Sequence, residues 1–349
     1  MGIFNKKIVA NAMALASVSL SALVAADYSQ HNEINSFIAE MTSEHQFVEE
    51  DLRQLFTQVE KKQSILDAIA RPAEKTLTWG EYRDIFIEER RINNGVKFWQ
   101  KHAGTLARAE QELGVAPQVV VAILGVETRY GTYTGNYRVI DALSTLGFDY
   151  PPRSKFFRKE LVNFMLLSRE QQQSPLELTG SYAGAMGYGQ FMPSSYRAYA
   201  VDFDADGFTD IWNNPVDAIG SVANYFKRHG WRAGQPVASR VKVSAAFDQS
   251  ALTKKLSLTH SVTELESLGY TAVNQVDGEL DALVMKHQGE AGTEFWMGFK
   301  NFEVITRYNR SQLYALAVYQ LSEELRKRYD SASSSALTLD LTATQEMTK

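Results

Sequence analysis

The 349-residue chain contains no cysteine. That excludes disulfides, thiolate zinc sites, cysteine nucleophiles and any lipid attached through an N-terminal cysteine. It also suits an oxidising compartment, where a stray thiol is a liability. Other absences narrow the chemistry further. The six histidines are scattered, with no His-Glu-x-x-His pair to hold zinc on one helix face. There is no Gly-x-Ser-x-Gly elbow, and no Gly-Lys-Ser/Thr follows a glycine-rich run to cradle phosphate. Positive charge is not in excess: the formal net charge of -5 argues against nonspecific nucleic-acid binding, although a locally basic groove is compatible with it. Beyond residue 26 no apolar run is long enough to span a bilayer.

What is present begins at the N-terminus. Lys6 and Lys7 precede an uncharged run from Ile8 to Ala26 that ends in Val24-Ala25-Ala26, then Asp27. A basic start, an apolar stretch and a small-residue cleavage site read as a signal peptide over residues 1–26. The run is near the length of a membrane anchor, but its Ala and Ser content and Asn11 favour the cleaved signal. The expectation is an exported, soluble, periplasmic protein with no stable membrane anchor. Hydrophobic residues at 44% and charged residues at 22% are ordinary for a globular chain that buries a sizeable core.

Residues 29–75 are polar with helical spacing of Phe47, Leu52, Leu55 and Val59. Phe98–Leu113 reads as one amphipathic helix stopped by Gly114. From Pro117 to Glu127 the residues are apolar on every face, so this helix belongs inside the domain. Helices follow over Val139–Leu146 and Ser154–Arg169, and a third runs through Ile219, Val222 and Phe226. Val237–Val243 alternates like a strand, and Asp281–Met285 and Asn301–Ile305 are short and β-rich. Asn309 to Tyr329 returns to helix, with Asn309 and Gln312 resembling a capping box. The Ser-, Thr- and Ala-rich tail 330–349 is expected to be disordered.

Three features carry chemistry. Glu127 ends the apolar helix, where partial desolvation favours a general acid; a structural ion pair with Arg129 or Arg138 suits the same position. The run Gly180–Pro193 is glycine-rich, with Gly184, Gly187 and Gly189 permitting close backbone approach and Gln190 able to hydrogen-bond a ligand. It reads equally as a structural turn or a sugar-binding loop. The stretch Asp202–Asn213 places carboxylates at loop positions 1, 3 and 5 (Asp202, Asp204, Asp206) and Gly207 at position 6, as in an EF-hand calcium loop. Phe208 would supply its carbonyl and Asp210 a water-mediated ligand. Asn213 replaces the usual bidentate Glu at position 12, which weakens affinity.

In this order the features resemble the B-type lytic murein transglycosylases. The match is carried by Gly125-Val-Glu-Thr-Arg-Tyr-Gly131, Asp141-Ala-Leu-Ser-Thr-Leu146, Gly180–Tyr196, Asp217-Ala-Ile-Gly-Ser-Val-Ala-Asn-Tyr-Phe226 and Ile305-Thr-Arg-Tyr-Asn-Arg-Ser311, and runs from about Trp79 to Leu325. The resemblance implies a mainly α (α+β) fold, with a lysozyme-like helical core, a helical lobe and a small β-rich insertion. The catalytic region would cover 27–329, with the core at about 98–232 and 303–329 and the β lobe at about 235–302. The family's catalytic glutamate falls on Glu127, its active-site serine on Ser181 and its glutamine on Gln190. Its groove-lining residues fall on Tyr225, Tyr308, Asn309 and Tyr314, with Tyr82 a further match. Of its basic pair for the peptide stem only Arg153 is kept, because Pro152 stands at the first position.

The resemblance implies cleavage of the MurNAc-GlcNAc bond of peptidoglycan glycan strands without water, giving a 1,6-anhydromuramyl end, with structural Ca2+ and no organic cofactor. A substrate-assisted route needs one carboxylate where ordinary glycosidases need two. That fits the absence of a second acid near Glu127 in sequence. A hydrolytic muramidase and a noncatalytic peptidoglycan-binding envelope protein are the alternatives. Mass spectrometry of the product ends separates the first, and retention of Glu127, Ser181 and Gln190 together speaks against the second.

Overall fold

The computed structural model describes residues 28–70 and 77–346. The expected signal segment, residues 1–26, lies outside the described residues. The apolar helix forms over Pro117–Thr128, with Pro117 in its first turn, where a missing N–H costs nothing. Val120, Val121, Ala122, Ile123 and Leu124 are all fully buried. Around it pack the helices Glu89–Lys101, Ala103–Leu113, Pro215–Arg228 and Gln312–Glu346. A helix enclosed on all sides has no polar face to spare, which is why its sequence shows no amphipathic period.

The expected single helix Phe98–Leu113 is instead the end of one helix and the whole of the next. His102, at φ -114° and ψ 24°, leaves helical geometry between Lys101 and Ala103. Both segments share one apolar period, so the break is invisible to periodicity. Gly114 does end the second helix, in the left-handed region at φ 75°.

A five-stranded antiparallel sheet occupies the stretch between residues 238 and 298. Its spatial order is His260–Ser261, Asp281–Gly289, Gly292–Gly298, Ala238–Val243, Tyr270–Ala272. Along Asp281–Gly289 the strand period sorts its side chains. Leu283 and Met285 join the main core, while Ala282 and Val284 join a second, smaller core with Met297 and Phe299. One sheet face is therefore cemented to the helices.

Three further expectations are corrected. Asn301–Ile305 is not β but lies in the helix Lys300–Tyr308, where Phe302 and Ile305, three apart, are both buried. Asn309 does not cap the last helix. The helix starts at Gln312, and the Ser311 hydroxyl accepts the Tyr314 N–H at 3.2 Å. The tail from Asp330 continues that helix to Glu346, through a segment with no Gly or Pro to stop it. Among the described residues no single helix is long and apolar enough to cross a membrane.

Candidate active site

The Pro117–Thr128 helix ends abruptly. Arg129 and Tyr130 are both left-handed, at φ 49° and 62°, and Gly131 follows at φ 86°. Non-glycine residues adopt this region only at a cost of about 1–2 kcal/mol each, so the surroundings must hold the turn. Tyr130 N–H reaches back to the Leu124 carbonyl at 3.0 Å, and its hydroxyl donates to the Arg91 carbonyl at 2.9 Å. Thr128 ties the helix end to the glycine-rich loop: its hydroxyl lies 2.9 Å from the Tyr188 carbonyl and accepts Gly131 N–H at 2.9 Å. The two arginines near Glu127 in sequence are engaged. Arg138 grips buried Asp141 with two bonds of 2.7 and 2.9 Å, and Arg129 lies 3.3 Å from Glu88.

Glu127, half-buried on the last turn, accepts a 2.5 Å hydrogen bond at Oε1 from the Tyr314 hydroxyl. Tyr314 is buried, and its phenol is pushed well above its ordinary pKa, first by desolvation and then by the Glu127 charge. Tyr308 is pushed the same way by the same two causes in the same order, and Tyr225 adds to the shift. The Tyr308 hydroxyl donates to the Gly189 carbonyl at 2.5 Å. Tyr225 packs its ring 4.8 Å from that of Tyr308 and donates to the Arg307 carbonyl at 2.6 Å. Tyr82 is buried close enough to raise the Tyr314 pKa as well. Four tyrosines from four helices thus gather here, and two of them, Tyr308 and Tyr314, lie close enough to feel the Glu127 charge. Asn309 is extended between the last two helices, at φ -139° and ψ 125°.

The glycine-rich loop is held by its own groups. Thr179–Gly180 pairs with Tyr137–Arg138 as a short antiparallel ribbon. The Ser181 hydroxyl oxygen accepts Ala185 N–H at 3.0 Å, which leaves its proton for another acceptor. Gln190 sits at φ 50° and donates from Nε2 to the carbonyls of Thr134 and Gly187, both at 3.0 Å. Its amide therefore shapes the loop, and Oε1 is its remaining polar atom. At Gly189 a Cβ would meet the Tyr308 hydroxyl at 2.8 Å, so close approach demands glycine there. Arg153 stands apart on the turn Pro151–Arg153, exposed, with its guanidinium 4.4 Å from the Phe156 ring centroid and 5.1 Å from that of Phe157.

The acidic loop brings together a carboxylate group that only partly overlaps the residues its spacing suggested. Oxygens of Asp202, Asp204 and Asp217 lie within 4.8 Å of one another, a separation that one Ca2+ with bonds of about 2.4 Å spans. Asp206 instead accepts Phe208 N–H at 2.9 Å, and Asn213 donates its amide to Asp210 at 3.2 Å. The residue that sequence spacing missed is Asp217. Asn214 caps the helix Pro215–Arg228 through Val216 N–H at 3.0 Å. This sets Asp217 in the first turn, where it accepts Phe203 N–H at 2.7 Å and Asp210 N–H at 2.8 Å. An acid in the first turn of the exit helix was the available signal. The Asp217 carboxyl is raised above the ordinary aspartate pKa by burial and, further, by the charges of Asp204 and Asp202. A cation would relieve that crowding, so the donor set fits calcium.

The chain is similar to known proteins over most of its length. Residues 29–323 match the model of the transglycosylase SLT domain. Membrane-bound lytic murein transglycosylase B of Escherichia coli (strain K12) is 41% identical over 306 residues, 85% of this chain and 83% of that protein. The structure of catenated lytic transglycosylase SltB1 from Pseudomonas aeruginosa superposes with a TM-score of 0.83 at 55% identity, covering 87% of this chain and 100% of that one. Lytic transglycosylase Slt35 of Escherichia coli, in a complex with calcium, gives a TM-score of 0.80 at 40% identity over 87% of this chain and 95% of that one. With its helical core, its small sheet and a match over most of its length, the chain belongs to the B family of lytic murein transglycosylases, enzymes that cleave the glycan strands of peptidoglycan.

Proposed function

We propose that Glu127 is the sole acid and base of this transglycosylase. The observation that carries the reading is the 2.5 Å bond from Tyr314, which fixes one carboxylate oxygen on a half-buried turn facing the glycine-rich loop. Glu127 first gives its proton to the glycosidic oxygen, and the bond from that oxygen to the muramyl C1 breaks. The substrate's own acetamido oxygen supports the positive charge at C1. Glu127, now a carboxylate, takes the proton of the muramyl 6-hydroxyl, and O6 closes on C1 to give the 1,6-anhydro ring. Ser181, with its oxygen already satisfied by Ala185, turns its proton toward the acetamido carbonyl and holds it for that attack. Tyr308, Tyr225 and Tyr82 brace Tyr314 and the loop, Gln190 holds the loop's shape, Asn309 contacts the sugar, and Arg153 meets the peptide stem from a more distant face.

Calcium belongs to the same reading. Asp202, Asp204 and Asp217 would hold Ca2+, which neutralises the clustered carboxylates and ties the loop to the helix that carries Tyr225. The basic start, apolar run and small-residue site at the N-terminus support export of the enzyme to the periplasm.

The test is Glu127→Gln on purified peptidoglycan, with soluble products analysed by mass spectrometry. Wild type releases anhydromuramyl ends, and the variant loses about 10^2–10^4-fold in rate. Equal solubilisation by both proteins would sink the assignment, and hydrated ends from wild type would replace it with a hydrolytic one.

A further inference from the structure

A cleft of about 1350 Å3 among the described residues does not have Glu127 in its lining. It lies between the sheet and the last two helices, and its charge runs against the composition of the chain. Acids outnumber Lys and Arg overall, 41 to 36. Yet the cleft is lined by Arg228, Lys254, Lys255, Lys286, Arg307 and Arg310 against the single acid Glu303. All six cations are exposed. Glu303 is already bonded by Lys300 at 2.7 Å and Arg307 at 2.9 Å. Among the described residues, the other five cations form no ion pair within the protein. Uncompensated charge of one sign along a concave wall focuses its field and attracts ions of the opposite sign.

The cleft is mechanically joined to the catalytic group at two points. Gln312 donates from Nε2 to the carbonyls of Thr253 and Lys255, at 3.2 and 3.1 Å, and so pins the lysine-bearing loop to the first turn of the helix that carries Tyr314. Arg307 directly precedes Tyr308, and its carbonyl accepts the Tyr225 hydroxyl at 2.6 Å. The lysine-bearing loop is thus fixed relative to Tyr314, and through Tyr314 to Glu127. The substrate of this family carries a peptide stem with free carboxylates on each muramyl residue. While a stem is attached, its amide bond masks the muramyl lactyl carboxyl, so the stem's own carboxylates are the charges that a cationic wall reads.

We propose that this cleft is a second recognition site, which binds the carboxylates of a peptide stem on a muramyl residue beyond the one being cleaved. The inference rests on the transglycosylase reading of Glu127 and assigns the sheet-bearing lobe a role in substrate choice. Exposed lysines on a rim mainly set encounter rate and salt sensitivity, so the effect falls on kcat/KM rather than on kcat.

The experiment compares two substrates: glycan strands bearing intact stems, and the same strands stripped of stems by an amidase and then amidated at the lactyl carboxyls that the cleavage exposes. Lys254→Ala/Lys255→Ala/Lys286→Ala removes three exposed cations that touch no catalytic side chain. The expected result is a fall of about tenfold in kcat/KM on stem-bearing strands, with stem-free strands turned over as by wild type. The charge-reversed variant with Glu at the same three positions should deepen the loss on stem-bearing strands alone. Equal rates of wild type and variant on stem-bearing strands would overturn the proposal, as would equal losses on both substrates. Either result leaves the catalytic reading intact, because that reading stands or falls on Glu127→Gln.

Discussion

The hydroxyl of Tyr314 donates to Oε1 of Glu127 at 2.5 Å, joining two residues 187 positions apart in the chain. Glu127 ends a helix that is buried along its length, and Tyr314 sits in the first turn of the last helix, which packs against it. The carboxylate thus receives its fixed donor from the opposite end of the fold. The segment between the two residues includes the whole five-stranded sheet.

Removing that donor while keeping the ring isolates its contribution. A hydrogen bond to a charged group contributes about 1.5–3 kcal/mol. Tyr314→Phe should therefore lower kcat on peptidoglycan by roughly ten- to a hundredfold with KM little changed, because the phenol contacts Glu127 rather than the sugar. Steady-state kinetics on soluble glycan strands check this, and wild-type turnover in the variant would remove Tyr314 from the mechanism.

The part of this arrangement legible in the sequence was the part written in ordered local motifs. The apolar helix announced an interior position for Glu127, and the glycine pattern announced a loop of unusual backbone. What periodicity could not reveal was a change of element that preserves the apolar period. His102 splits one apparent helix into two, and Phe302 with Ile305 reads as β-rich while folding as helix. The acidic loop shows a different limit. Spacing rules assume a twelve-residue loop, whereas Asn214 and Pro215 start the exit helix here and place Asp217 in the carboxylate group. The cationic cleft was hidden for a third reason: its lysines and arginines come from four separate segments and share no motif.

Gly131 tests the strained turn that presents Glu127. Its φ of 86° is left-handed, and a Cβ there would lie 2.1 Å from the Tyr188 ring. Gly131→Ala therefore carries both a backbone penalty and an overlap, together about 2–4 kcal/mol. The melting temperature should fall by roughly 3–6 °C. Catalysis below that temperature should fall too, because the Gly131 N–H that Thr128 accepts is displaced. An unchanged melting curve would show that the turn is not under the constraint described.

His287 predicts a pH-dependent stability. Desolvation by burial lowers its pKa to about 4, and its Nε2 has no hydrogen-bond partner. The fold therefore favours the neutral ring. The stabilisation from this group is complete above the unfolded value of about 6.5 and is lost as pH falls toward and through about 4. His287→Gln cannot titrate, so the stability gap between wild type and variant should shift against wild type by about 1–3 kcal/mol across that window. Chemical denaturation at a series of pH values measures it; parallel curves would contradict the assignment.

Calcium offers a choice between two ligand sets. If Asn213 completed the loop as its twelfth residue, Asn213→Asp would supply the missing charge and tighten binding. If Asp217 completes it, the same substitution adds a carboxylate beside Asp210, which Asn213 now satisfies with its amide, and binding is not improved. The direct test is Asp204→Asn. Asp204 is exposed and accepts a 2.9 Å bond from Asn214, which Asn at the same position can still accept, so its replacement should leave the ion-free melting temperature nearly unchanged. Calcium at about a hundred times its Kd stabilises a folded protein by about 2.7 kcal/mol, and the resulting rise in melting temperature should be seen in wild type and largely lost in Asp204→Asn. A larger rise in Asn213→Asp than in wild type would restore Asn213 as a ligand and displace Asp217.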